Sequence, residues 1–225
     1  MIKQDLISSS PVRLFDNATD GGLKAGQMGL ITSKKGLGKT SILVQFGIDA
    51  LIQDKHLVHI SFDQHSSNVI AWYDSILAEI CKKRNIGENS ELNNSIVRNR
   101  IILNFNQETF SLPKIVSTLK ALKDGGITVG AIVIDGADMS KISFDDVKSV
   151  ADYVKSEKMT AWFSETNESA KLSETLNKDI LPLFDTVAHI ASTGSALALS
   201  VLKSNGKEVS DTNISLDTKT LLMTK

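Results

Sequence analysis

The chain has 225 residues, 41% of them hydrophobic, enough to bury the core of one compact domain, and a single domain over 1–225 is expected. A formal net charge of −1 leaves no overall positive field to hold nucleic acid or an anionic membrane. No stretch approaches the roughly 18 consecutive apolar residues of a membrane span, no leader pattern opens the chain, and the lone Cys81 excludes an internal disulfide. A cytoplasmic protein without a membrane span is the expectation.

Short apolar runs alternate with longer helical patterns. "MGLIT" (28–32) reads as a strand, "TSILVQFGIDALIQD" (40–54) as a helix and "HLVHISF" (56–62) as the next strand. "SNVIAWYDSILAEICKKRN" (67–85) has helical spacing, with Cys81 packed as a small apolar residue, and the Asn and Ser residues crowding 85–95 mark a loop. "RIILNFN" (100–106) reads as a strand, "LPKIVSTLKALKDGG" (112–126) as a helix stopped by Gly125 and Gly126, and "VGAIVID" (129–135) as a buried strand. Ser143 and Asp146 form an acidic variant of the capping box before the helix "FDDVKSVADYVKSEK", and "MTAWFSE" (159–165) is a further strand. Beyond residue 185, "DTVAHIA", "ALALSVLKSNGKE", "NISLD" and "TLLMTK" read as consecutive strands joined by Gly and Asn turns. The expected fold is α/β: a mainly parallel sheet flanked by helices, finished by C-terminal antiparallel strands.

The chemistry concentrates in "ITSKKGLGKTS" (31–41). A phosphate-binding loop needs glycines that let backbone N–H groups turn inward, a lysine for the β/γ-phosphates and a hydroxyl for Mg²⁺. Lys39 and Thr40 supply the last two, and the loop lies between a strand and the N-terminus of a helix, where anions are favoured. The nucleotide-binding set is therefore Ser33, Lys34, Lys35, Gly36, Leu37, Gly38, Lys39, Thr40 and Ser41. Ser33 stands where the pattern G-x-x-x-x-G-K-[ST] has its first glycine; serine fits there if its φ stays negative. Asp135, closing a buried apolar strand, is placed to share the metal with Thr40, and Asp138 is a weaker second carboxylate. The four histidines, His56, His59, His65 and His189, show no metal spacing with the cysteine, and Trp72 and Trp162 read as core.

These residues resemble the RecA superfamily of P-loop ATPases, particularly its KaiC and RadA-like branch. "DGGLKAGQMGLITSKKGLGKTSILVQFGIDAL" is similar to that branch's opening, with Gly21, Gly22, Leu23 and Gly26 matching its glycine turn. "VHISFDQ" resembles its strand ending in Ser/Thr-Phe-Glu-Glu, "AIVIDGAD" its metal-binding strand, "TAWFSETNE" the strand that ends beside the γ-phosphate, and "LALSVLKSNGKE" its final hairpin region. The resemblance covers most of 16–218 and implies a RecA-like P-loop core, ATP and Mg²⁺ as ligands, and a homo-oligomer or related protein partner. It also implies Asp63 and Gln64 as the catalytic positions, Glu165 or Thr166 as γ-phosphate sensors, and Lys203 acting across a subunit interface.

Three departures point to weak or absent hydrolysis. Ser33 replaces the first loop glycine; Asp63-Gln64 replaces a Glu-Glu pair, and Asp is one methylene shorter while Gln is no base; Lys203-Ser204-Asn205 replaces a Lys-x-Arg pair. A missing trans arginine alone can cost about 10³ or more in rate. The expected function is an ATP-binding switch or scaffold. One alternative is a ParA/MinD-like ATPase, since Lys34 falls at that family's signature lysine, although Lys35 occupies one of its glycines and its chains end in helices. Another is a nucleotide-free interaction protein that keeps the fold. A strand-exchange recombinase is disfavoured because "TNESAKLSETLNKD" balances its charges and carries no aromatic for base stacking.

Overall fold

The computed structural model describes residues 2–62, 64–87, 90–106, 111–209 and 212–224. Two short helices, α1 (Ile2–Ser9) and α2 (Val12–Ala18), precede β1 (Met28–Ser33), α3 (Lys39–Ile52) and β2 (His56–Ser61). Then come α4 (Ser66–Lys83), α5 (Ser90–Asn99), β3 (Arg100–Asn104), α6 (Leu112–Asp124), β4 (Val129–Asp135), α7 (Phe144–Ser156) and β5 (Thr160–Thr166). The chain closes with β6 (Thr186–Thr193), β7 (Ala196–Ser204), β8 (Lys207–Glu208), β9 (Asn213–Leu216) and β10 (Met223–Thr224).

The strands form one sheet in the order β10-β9-β7-β6-β1-β5-β4-β2-β3, with β8 on β7. The run from β6 to β3 is parallel, and β7 to β10 add antiparallel. The fold is thus α/β with a mostly parallel sheet, helices on both faces and antiparallel C-terminal strands, as the alternation of apolar runs predicts. Every residue of β1 is buried, because both of its faces are covered. Leu30 faces a core shared with Val58, Ile132, Phe163 and α6 and α7, while Ile31 faces α3 and the helices outside it.

Helix α3 is buried from Ser41 to Ile52, which is what an all-round apolar helix requires. It lies on the sheet through β1, β2, β4 and β5 and is covered by α1, α2, α4 and α5. Phe46 of α3 stacks on Trp162 of β5 at 4.1 Å between ring centroids, and Phe15 of α2 meets both edge-on. Such aromatic pairs add about 0.5–1.5 kcal/mol each beyond their buried area.

Three helices depart from the sequence expectation. Residues 85–95 were expected as a loop, yet α5 begins at Ser90. Its Asn and Ser residues are weak helix formers, but Leu92 and Ile96, four apart on one face, are buried, and that packing outweighs propensity. The segment before residue 16 carries no sequence assignment and forms α1 and α2, held by buried Leu6, Val12 and Phe15. Ser143 caps α7 as expected, accepting from the Asp146 backbone N–H at 3.1 Å. Cys81 is half-buried, and burial pushes its thiol pKa up, consistent with packing. No helix among the described residues is long and apolar enough to cross a membrane.

His59 of β2 is fully buried, its Nδ1 3.0 Å from the Tyr73 hydroxyl and its Nε2 without a hydrogen-bond partner among the described residues. Burial, with the Arg100 guanidinium adding to it, pulls its pKa down to about 3. The unfolded chain therefore binds a proton below about pH 6.5 that the folded chain refuses, and stability falls between about pH 6.5 and about 3. Urea unfolding at about pH 7.5 and about 5.5 should show the wild type losing about 1.4 kcal/mol more than His59→Gln over that interval. Equal losses would contradict a neutral buried His59.

Candidate functional site

The site is built where β1, β5 and β4 end side by side. Register pairs Ser33 with Thr166 across β1 and β5, and Ser61 with Asp135 across β2 and β4, so the loop after β1 faces the carboxylate that closes β4. Carboxyl ends of parallel strands are where open α/β sheets place ligands. A cavity of about 800 Å³ lies there, within the size range of small-molecule sites. Its lining includes Lys39, Thr40, Asp135, Glu165, Trp72 and Leu221.

The 33–40 loop turns through two glycines in the left-handed region, Gly36 at φ +86 and Gly38 at φ +98. Leu37 N–H donates to the Lys34 carbonyl at 3.4 Å, and Gly38 opens α3 without a side-chain cap. Ser33 is fully buried and keeps its φ out of the positive range, as a serine in place of the first glycine must. Its Oγ donates to the Lys34 carbonyl at 2.8 Å. Lys39 Nζ folds over the loop, 3.3 Å from the Ser33 carbonyl and 3.4 Å from its Oγ.

Thr40 Oγ1 donates to Asp135 Oδ2 at 2.7 Å, and Ser164 Oγ donates to the other carboxylate oxygen at 2.6 Å. Ser164 in turn accepts from Gly136 N–H at 2.9 Å, so Asp135 is held from two neighbouring elements. Ser41, next along α3, is fully buried and its hydroxyl has no hydrogen-bond partner among the described residues. An uncapped helix N-terminus beside an unmatched buried hydroxyl suits an anion. A Cβ built on Gly36 meets nothing within 4 Å, so that side of the loop is open. Among the described residues no group of three or more His, Cys, Asp or Glu converges.

The remaining predicted residues divide. Lys35 and Gln64 line the cavity, with Gln64 fixed by its backbone N–H to Ser61 Oγ at 3.2 Å and its carbonyl to Asn104. Glu165 also lines it, accepting from Met139 N–H at 3.1 Å. Burial raises its pKa, Asp138 adds to the rise, and the Met139 N–H and the Lys39 charge oppose it. Thr166 is exposed at the cavity edge. Lys34 points outward to Glu168, 3.8 Å away and exposed. Asp138, also on the lining, caps the short turn Met139–Lys141 and pairs with Lys141 at 2.9 Å, which lowers its pKa. Asp63 lies outside the described residues.

Lys203 is not brought to this chain's own cavity. It pairs with Val187, which pairs with Leu30, well before Ser33 along β1. Its side chain is buried, and Nζ donates to the Phe184 carbonyl at 2.6 Å and the Leu181 carbonyl at 3.3 Å. Burial lowers its pKa, as expected for an ammonium withdrawn from water.

Several lining residues lay outside the sequence expectation, among them Ser164, Trp72 and Leu221. Trp72, read as core, is half-buried on the cavity wall, whereas Trp162 is core as expected. Leu221 arrives from the C-terminal segment, which Gln45 of α3 clamps: Nε2 donates to the Leu221 carbonyl at 2.8 Å and Oε1 accepts from Met223 N–H at 3.0 Å. No local signal places residue 221 against residue 38, since only the completed sheet brings them together.

Neither a scan against protein-family models nor a search of curated proteins gives a match for this chain.

A Cβ on Gly38 would stand 3.0 Å from Leu221 Cδ1, whereas one on Gly36 is unobstructed, although both glycines have positive φ. Gly36→Ala should therefore cost only the left-handed penalty of about 1–2 kcal/mol, and Gly38→Ala measurably more. Urea midpoints of the two variants check this. Equal losses would contradict the Leu221 contact.

Proposed function

We propose that the chain binds ATP with Mg²⁺ at the 33–40 loop, hydrolyses it weakly or not at all, and acts as a nucleotide-dependent switch or scaffold on a RecA/KaiC-like core. The observation that carries this reading is the convergence of Lys39, Thr40 and Asp135 at one cavity, with the Ser41 hydroxyl unmatched beside them. Lys39 would turn from Ser33 to the β/γ-phosphates, and the N–H groups from Gly36 to Thr40 would face their oxygens. Thr40 and Asp135 would hold the ion: a hydroxyl that donates its proton to Asp135 leaves a lone pair for a cation. Bound Mg²⁺ would neutralise charge on the phosphates.

Weak turnover is supported by Lys203, whose amine is bound to carbonyls of its own chain. An amine held in this way is not offered to a neighbouring subunit on this reading. Gln64 lines the cavity but has no basic atom, and Glu165, held by the Met139 N–H, is a reader of the terminal phosphate on this account. The closing strands β6 to β10 favour this reading over a ParA/MinD-like one, and Lys34 faces outward toward Glu168. A RecA-like core places nucleotide between subunits, so a homo-oligomer or related protein partner is part of the proposal.

A second reading has one observation behind it. Thr40 and Asp135 satisfy one another directly, so this pair needs no nucleotide or ion to be matched, as in an interaction protein.

Titration calorimetry with Mg-ATP separates the two. The wild type should bind in the micromolar range, about −8 kcal/mol, and Lys39→Ala should lose binding. Phosphate release by the same samples should stay below about 1 per second, the low end of ordinary turnover. Release within the ordinary range would remove the switch reading. No binding, with partner association intact in Lys39→Ala and Thr40→Ala, would establish the interaction protein.

A further inference from the structure

We infer that Trp72 is the platform on which the nucleotide base stacks, with Leu221 closing the opposite side; this rests on the nucleotide reading above. The buried stripe of α4 is Val69, Tyr73, Ile76, Leu77 and Ile80. Trp72 stands at the flank of that stripe, packed on the core along part of its surface and lining the cavity with the rest. A half-covered indole is a large apolar surface left facing a polar pocket, and a flat π-face is what a purine base stacks on.

The other groups of the cavity leave this as the place for a base. Asp135, Asp138 and Glu165 make the β4 and β5 end acidic, and Lys39, Thr40 and Ser41 mark the phosphate and metal positions. Trp72 and Leu221 are the large apolar residues on the lining.

Leu221 adds an independent observation. Its backbone sits at φ +58, a left-handed conformation that costs a bulky residue energy and persists where its surroundings impose it. The surroundings are visible: Gln45 grips its carbonyl, and its own N–H donates to the Asp217 carbonyl at 2.7 Å. The strained turn rests Leu221 on Gly38 and brings it to the cavity. An apolar surface held there at such a cost fits a wall for an apolar ligand face.

The two tryptophans give the test its internal control, because Trp162 lies in the core stacked on Phe46. Mg-ATP and Mg-tripolyphosphate would be titrated against wild type, Trp72→Phe and Trp72→Ala by calorimetry and tryptophan fluorescence. Stacking predicts that ATP quenches wild-type fluorescence while tripolyphosphate does not, and that Trp72→Phe shows no quench. Trp72→Ala should weaken ATP about 5- to 150-fold, Trp72→Phe less, and both should leave tripolyphosphate unchanged. Unchanged Trp162 emission certifies that each variant is folded. Equal effects on both ligands, or none on either, would overturn the platform while tripolyphosphate binding leaves the phosphate site standing. Failure of the wild type to bind either ligand would overturn both readings.

Discussion

The Asp135 carboxylate is the joint on which the site depends. It takes one hydrogen bond from Thr40 at the head of α3 and one from Ser164 of β5, while its own strand is the second neighbour of β1. A buried carboxylate is costly unless its oxygens are matched, and these two hydroxyls match it at 2.7 and 2.6 Å. The same bonds fix the start of α3 against the ends of β4 and β5. The loop before α3 then has little choice of path: it leaves β1 at Ser33, whose carbonyl also accepts from Asn167 N–H at 3.0 Å, and must enter α3 through Gly38.

Replacement of a glycine by Ser33 is accommodated by chemistry rather than by space. The residue is buried, its φ is ordinary, and its hydroxyl is turned to the Lys34 carbonyl and toward Lys39. The positive φ values that the turn requires fall on Gly36 and Gly38, so the loop keeps its reversal without a glycine at its first position. Lys203, by contrast, serves the chain's own carbonyls at the other end of the strand.

Much of the fold is legible in the sequence because it depends on local periodicity. Largely apolar runs at 28–32 and 129–135 require cover on both faces, and the alternation with helical patterns then gives a mainly parallel sheet. Gly38-Lys39-Thr40 and Asp135 are legible for the same reason: the first opens a helix that follows a readable strand, and the second closes one. The failures are non-local. Helix α5 is made by the burial of Leu92 and Ile96 against α3 despite its Asn and Ser content, and α1 and α2 by docking of Leu6, Val12 and Phe15. Trp72 has the spacing of a core residue and differs only in what the neighbouring elements leave uncovered. Leu221 and Gln45 meet across the whole chain, which no window of sequence reports.

On the proposed reading the 33–40 loop receives phosphate. Amide NMR of the labelled chain during addition of Mg-ATP tests it most directly, because the proposed contacts are backbone N–H groups. The account predicts the largest shifts at Gly36, Gly38, Lys39, Thr40 and Ser41, with smaller ones at Asp135 and Ser164. Saturating Mg-ATP that leaves those amides unmoved would contradict it.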